Sequence, residues 1–281
     1  MQIREPPFCS IGGVRRCSLE VGNSGCSLFL FVAVSPQNTD YMDGPDYTKD
    51  LPKELKGFCY VCMKIMTERN RKVRMGIEAT KFSVMWGDGT DDSRRHHVYQ
   101  NEGMYEVVLI GRNLRRLDIS ACGVTDADFG RCVKLRELRC GYNFLEVLDL
   151  SEVPELEVLI CNSNDLVRLD VEGCTGLKYV DCRSNRLSWL NLRERKELYE
   201  LECSKNVLEG VEVEGCGNLK FLSCSTNKLG MKRFSELLDS LPKRSIPYGC
   251  FYGNKNPGFR LKYRQMMIAK GWRYERHRNW M

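Results

Sequence analysis

Leu135, Leu156, Leu177, Leu198 and Leu219 recur every 21 residues, and four further columns keep step with them. These are Leu138, Leu159, Val180, Leu201 and Leu222; Cys140, Cys161, Cys182, Cys203 and Cys224; Asn143, Asn164, Asn185, Asn206 and Asn227; and Leu145, Leu166, Leu187, Leu208 and Leu229. A degenerate unit precedes them at the same period, with Leu114, Leu117, Ile119, Cys122 and Val124. The unit reads L-x-x-L-x-C-x-x-N-x-L. A segment this short cannot bury its own apolar face, but stacked copies share one continuous core. The chain is therefore committed to an array. A second run in most units, such as Leu148-Asp149-Leu150, Leu169-Asp170-Val171, Leu190-Asn191-Leu192 and Val211-Glu212-Val213, alternates as a strand does and is expected on the opposite wall.

The pattern resembles the leucine-rich repeat, with cysteine in the third apolar slot, over residues 114 to about 234. The resemblance implies one short strand per unit, stacked as a parallel sheet on the concave side of a solenoid. Upstream, Cys59, Val61, Met63 and Ile65, then Val73, Met75, Ile77 and Ala79, then Phe82, Val84 and Trp86, and finally Tyr105, Val107 and Leu109 alternate in strand fashion. Gly87-Asp88-Gly89-Thr90 marks a turn between strands. Val84 to Thr90, with His97-Val98-Tyr99 and Gly103 to Val107, resembles the polycystic-kidney-disease type of immunoglobulin-like domain. The stretch is short for a complete sandwich of about 100 residues, so a truncated β-module rigidly joined to the first repeat is expected.

After the repeats, Phe234, Leu237, Leu238 and Leu241 have helical spacing and Pro242 ends the helix. Tyr248–Tyr252 is a possible strand and Asn256-Pro257-Gly258 a turn. Arg260–Lys270 reads as a second helix that buries Leu261, Met266 and Ile268 and stops at Gly271. Phe251 to Asn254, Asn256 to Gly258 and Ala269 to Trp272 resemble the C-terminal cap of leucine-rich repeat proteins from host-associated bacteria. The expected fold is a leucine-rich repeat solenoid with few helices, preceded by a small immunoglobulin-like all-β module and closed by a helical C-terminal cap. The expected divisions are 1–56, 57–112, 113–234 and 235–281.

Residues 1–56 fit two readings. Arg15 and Arg16 ahead of the apolar run Leu28–Val34 have the layout of a signal peptide, although Glu20 intervenes and Pro36 follows Ser35, where cleavage would fall. Leu28, Leu30, Val32 and Val34 also alternate as a strand does. That run is the longest apolar stretch, at seven residues, against the roughly 20 of a membrane-spanning helix.

Charge excludes a uniformly basic fold. Residues 253–281 carry eight Lys and Arg against one Glu, so the formal net charge of +6 belongs to the C-terminal tail. A nucleic-acid partner is not expected. The 15 cysteines are an odd number, so complete intrachain pairing is impossible. Neighbouring ladder strands lie about 4.8 Å apart, wider than the ~3.8 Å between the Cβ atoms of a disulfide. The ladder cysteines are read as small buried hydrophobes.

Chemical sites are weakly signalled. Cys59-Tyr60-Val61-Cys62 is a lone C-x-x-C on a strand, where positions three apart face opposite sides, so zinc is not expected. Asp88, Asp91 and Asp92 lack the spacing of a calcium loop. His96 and His97 are adjacent, so one faces in and one out, and no G-x-S-x-G or H-E-x-x-H motif accompanies them. No cofactor and no enzymatic activity are expected. The asparagine column is read as structural, bonding backbone groups that the turn leaves unpaired.

What remains is the concave face. Between the buried columns, Val158, Ile160 and Tyr179 form an apolar centre, with Tyr142 and Phe221 nearby and Arg139, Asp181 and Arg183 around it. An apolar centre with a charged rim suits partner binding. The expectation is a non-enzymatic binding protein, displayed at a bacterial surface by resemblance, that holds a protein or glycan through Tyr142, Val158, Ile160, Tyr179, Asp181, Arg183 and Phe221. The alternatives are a structural spacer without a specific ligand and, third, an enzyme using His96 or His97.

Overall fold

Each repeat contributes a strand of only three residues, with a buried apolar residue at its centre. In the computed structural model these strands are Arg116–Asp118, Glu137–Arg139, Val158–Ile160, Tyr179–Asp181, Glu200–Glu202 and Phe221–Ser223. They pair parallel and in register, so that Leu117, Leu138, Leu159, Val180, Leu201 and Leu222 form one buried column. The structure describes residues 14–20, 27–33, 58–130, 132–244, 249–260 and 262–274. This is a parallel ladder of stacked repeats. The opposite wall carries two separate strand pairs, Val147–Asp149 with Arg168–Asp170 and Trp189–Asn191 with Gly210–Glu212.

The ladder extends past the periodic sequence at both ends. At its C-terminal end, Gly249–Tyr252 pairs parallel with Phe221–Ser223, placing Phe251 beside Leu222, and Trp272–Tyr274 follows. The segment expected as a helical cap therefore mixes two helices with two ladder strands. Helix α1 (Met231–Ser240) ends just ahead of Pro242 and buries Phe234, Leu237 and Leu238. Helix α2 (Tyr263–Ala269) buries Tyr263 and Met267, whereas Met266 and Ile268, expected inside, are exposed at 37% and 58%. The helix begins at Tyr263 rather than Arg260, and its inner face meets Phe234, 5.6 Å from the Tyr263 ring. Leu261 lies outside the described residues.

At the N-terminal end, Gly76–Glu78 adds an antiparallel edge to Arg116–Asp118. The expected strand over 73–79 is split at Met75. Lys72–Arg74 pairs with His96–Val98, and the chain then crosses into the ladder. Gly76 permits the crossing, since a Cβ there would meet that of Asp118 at 2.9 Å. The exchange is reciprocal. Val124–Asp128, from the first repeat, completes a five-stranded sheet with Phe58–Thr67, Gly103–Arg112, Lys81–Met85 and Asp91–Asp92. Val61, Met63, Ile65, Val84, Trp86, Val107 and Leu109 fill that sheet's inner side, continuous with the repeat core.

Residues 1–56 form a separate unit. Val14–Glu20 and Ser27–Ala33 pair antiparallel, with Val14 opposite Ala33. Leu28 to Ala33 thus lies in a strand, while Cys26, Val34 and the Ser35-Pro36 step lie outside the described residues. Among the described residues, no helix is long and apolar enough to cross a membrane.

Candidate functional site

The ladder's outward face is built by the residues flanking each buried central one. The register sets Val158 beside Tyr179 and Ile160 beside Asp181, with Glu200 between Tyr179 and Phe221. All of these except Asp181 are half-buried. Tyr142 stands apart from them. It lies in the turn after its strand, at φ +57°, and is 66% exposed. On the C-terminal side the Phe221 ring lies 5.3 Å from that of Tyr252, which extends the aromatic surface by one strand.

Charges frame this row. Arg139 pairs with Glu137, which also reaches Arg116 at 3.4 Å. Arg183 pairs with Asp181 at 2.9 Å. Asp181 is not a rim residue: it is buried, and desolvation raises its pKa against the opposing pull of Arg183. Glu202 beside it is pushed up to about 7 by desolvation, in spite of Arg183 and a hydrogen bond from Ser223. Desolvation also raises Glu200. Asp181, Glu200 and Glu202 therefore crowd one guanidinium. Glu200 and Glu202 were not expected in the site, because charge on a strand reads as solvated. Tyr252 was missed because it falls outside the 21-residue period.

Beneath the face runs the asparagine ladder. Asn185 Nδ2 donates to the Cys161 and Cys182 carbonyls, both at 3.0 Å, and its Oδ1 accepts from the Leu166 N–H at 3.0 Å. Each amide thus ties its own turn to the preceding repeat. Asn256 makes the same contacts, with the Cys224 and Gly253 carbonyls and the Leu229 N–H. It is a further rung that the inserted helix α1 displaces from the period.

The ladder thiols Cys140, Cys161, Cys182, Cys203 and Cys224 are fully buried. Desolvation raises all five, Cys140 and Cys224 to about 12, so they stay protonated at neutral pH. A second cysteine column lies nearer the far wall. Cys174 and Cys216 donate to carbonyls of the preceding repeat, Leu150 at 3.2 Å and Leu192 at 3.0 Å.

In the N-terminal sheet, Cys59 lies on the face of Val61 and Met63, and Cys62 on the other. His96 is exposed. His97 stacks on Trp86 with ring centroids 5.0 Å apart and hydrogen-bonds Asp88 at 2.7 Å. Burial raises Asp88, but hydrogen bonds from Thr90 and His97 hold it below the usual carboxylate range. The Tyr99 hydroxyl donates to the Trp86 carbonyl. Asp92 accepts from Trp86 Nε1 and the Arg94 N–H. These side chains hold the turn in shape. Among the described residues, no group of three or more His, Cys, Asp and Glu is arranged to hold a metal.

A cavity of about 320 Å³ lies on the far wall, between α1 and the strands Trp189–Asn191 and Gly210–Glu212. Arg233 covers Trp189 there at 5.0 Å, and Arg193 pairs with Glu212.

No protein-family model matches the chain, and no curated protein matches it. Among solved structures it is similar to the functional domain of InlJ from Listeria monocytogenes, described as including a cysteine ladder. The two are 23% identical with a TM-score of 0.41, over 63% of this chain and 42% of that one. The chain thus spans less than half the length of that relative.

Proposed function

We propose that this chain is a non-enzymatic binding protein whose concave ladder face holds a protein partner around Tyr179. One observation carries the reading: half-buried Val158, Ile160 and Tyr179 on one side of Glu200, and Phe221 and Tyr252 on the other, lie along the ladder face with ion pairs at their border. Partly desolvated aromatics within a polar frame are where binding energy concentrates. A row several strands long suits a protein better than a single sugar. On the same reading, residues 57–112 are an immunoglobulin-like module of the polycystic-kidney-disease type, 235–281 cap the array, and the protein acts outside a bacterial cell. Export rests on the family resemblance.

The full chain is the right object to test, because Gly76–Glu78 belongs to the ladder and a fragment starting at 113 would lose it. An array of purified host surface proteins and glycans is probed with the wild type. Tyr179→Ala should weaken the resulting complex by roughly 30-fold or more. Its circular dichroism should not change. Arg183→Ala should cost less and depend on salt. Normal binding by Tyr179→Ala, Ile160→Ala and Phe221→Ala, with loss on substituting Val167 of the far wall, would overturn the reading. A chain that retains nothing from the array acts as a spacer.

A further inference from the structure

We propose that Cys59 and Cys132 form a redox-sensitive thiol pair that closes into a disulfide, tying the N-terminal sheet to the first repeat, when the reduced protein meets a low-molecular-weight disulfide. The placement follows from the second cysteine column. Cys174 and Cys216 each donate to a carbonyl of the preceding repeat. Cys132 holds the same position in the first array unit, where the strand Phe58–Thr67 stands in place of a preceding repeat. Its thiol instead lies 3.5 Å from the Tyr60 carbonyl, in the core against which Cys59 packs and within reach of the Cys59 sulfur. The approach is built in. Asp128 sits opposite Cys62 across the sheet, and the chain then turns at Gly130, φ +46°, where a Cβ would strike the Tyr60 ring at 2.9 Å. Cys132 is buried in the same core as Val61 and Met63, on the side of the strand that carries Cys59.

The two thiols are unequal in the way that exchange requires. The hydrogen bond from Cys132 lowers the Cys59 pKa, against the opposing effect of burial. Ladder thiols shift the other way. Cys59 is also only partly buried, whereas Cys132 is fully covered. Attack by thiolate is the first step of exchange. The Cys59 thiolate displaces one thiolate from glutathione disulfide and is left as a mixed disulfide. Cys132 then loses its proton to solvent and attacks the Cys59 sulfur, expelling the second glutathione thiolate. Two protein thiols are oxidised and one disulfide is reduced to two thiols. Cys132 is held protonated first by its bond to Cys59 and then by burial. Capping Cys59 removes the first of these, so the first step prepares the second. Cys62, on the other face of the strand, is not the resolving thiol.

The full-length reduced protein is incubated with glutathione disulfide under native conditions and mapped by mass spectrometry without reduction. The expected product is a peptide pair linked through Cys59 and Cys132, with the five ladder cysteines unmodified. The closed loop is about 70 residues long, so the melting temperature should rise by about 5–10 °C. Cys132→Ser should trap the mixed disulfide at Cys59, and Cys62→Ser should leave the link intact. A Cys59–Cys62 link, a glutathione adduct that persists on wild-type Cys59, or no modification of Cys59 would each overturn the proposal. Wild-type mapping decides the matter even if a variant fails to fold.

Discussion

The middle of the ladder and its two ends do the same work with different sequences. In the middle, Asn164, Asn185, Asn206 and Asn227 bridge neighbouring turns with nearly identical distances, and the sequence repeats as the geometry does. At the C-terminal end, Asn256 reproduces the bridge after an insertion that includes α1. At the N-terminal end, the first rung, Asn143, accepts from both Gly123 and Val124, and an antiparallel strand closes the edge. What is conserved along the molecule is a pattern of backbone hydrogen bonds; regular spacing is only one way to produce it.

Truncation after Ser235 should have the largest effect. It removes Phe251, Asn256 and Trp272, all buried, and uncovers Leu222, Cys224 and Leu229 of the last periodic unit. Soluble yield should fall several-fold and the melting temperature by about 10 °C or more. A truncated chain as soluble and heat-resistant as the parent would mean that the C-terminal end is an appendage. Next is Asn185→Ala, which strands the Leu166 N–H and leaves the Cys161 and Cys182 carbonyls with one asparagine donor each, Asn164 and Asn206, and should cost about 2–3 kcal/mol in denaturant unfolding. Asn256→Ala removes the same bonds one strand from the ladder's end and should cost about 1–2 kcal/mol. Equal losses would show that the ends are as tightly ordered as the centre, and no loss at Asn256 would remove it from the ladder.

The smallest effect concerns pH. The folded pKa of Glu202, about 7, lies above its ordinary value, so the folded state binds the proton more tightly. The associated stability is complete below about pH 4.5 and is lost as pH rises through 7. Because Glu202 is half-exposed, solvent screening limits this to about 1 kcal/mol or less. Comparing denaturation midpoints at pH 5 and 8 for the wild type and Glu202→Gln checks it, since the variant should lack this component.

The periodic core was legible because burial of one apolar residue per strand forces a repeat onto the sequence. Leu138, Cys140 and Asn143 announce their positions by recurrence alone. Phe251, Gly253 and Asn256 obey the same geometric rule, but one instance after an insertion makes no period. Met266 and Ile268 were misplaced because apolar character alone does not fix which side of a helix turns inward; two residues apart, they point in nearly opposite directions. The strand exchange at Gly76 left no signal, since a parallel or antiparallel neighbour imposes the same alternation. At the candidate site, Val158, Ile160, Tyr179 and Phe221 could be placed from the columns. The burial of Asp181 could not, because it depends on the neighbouring strands' side chains.

The asparagine rungs also have a mechanical consequence. Bonds between parallel ladder strands run along the stacking direction, as do the amide bridges that join consecutive turns. Tension applied between the ends of the array would load these links in series, so the weakest junction should part first and the others should follow singly. Such a ladder yields in small, separate steps rather than in one rupture. Inserting or removing a whole 21-residue unit would change how many steps it offers while leaving each one the same.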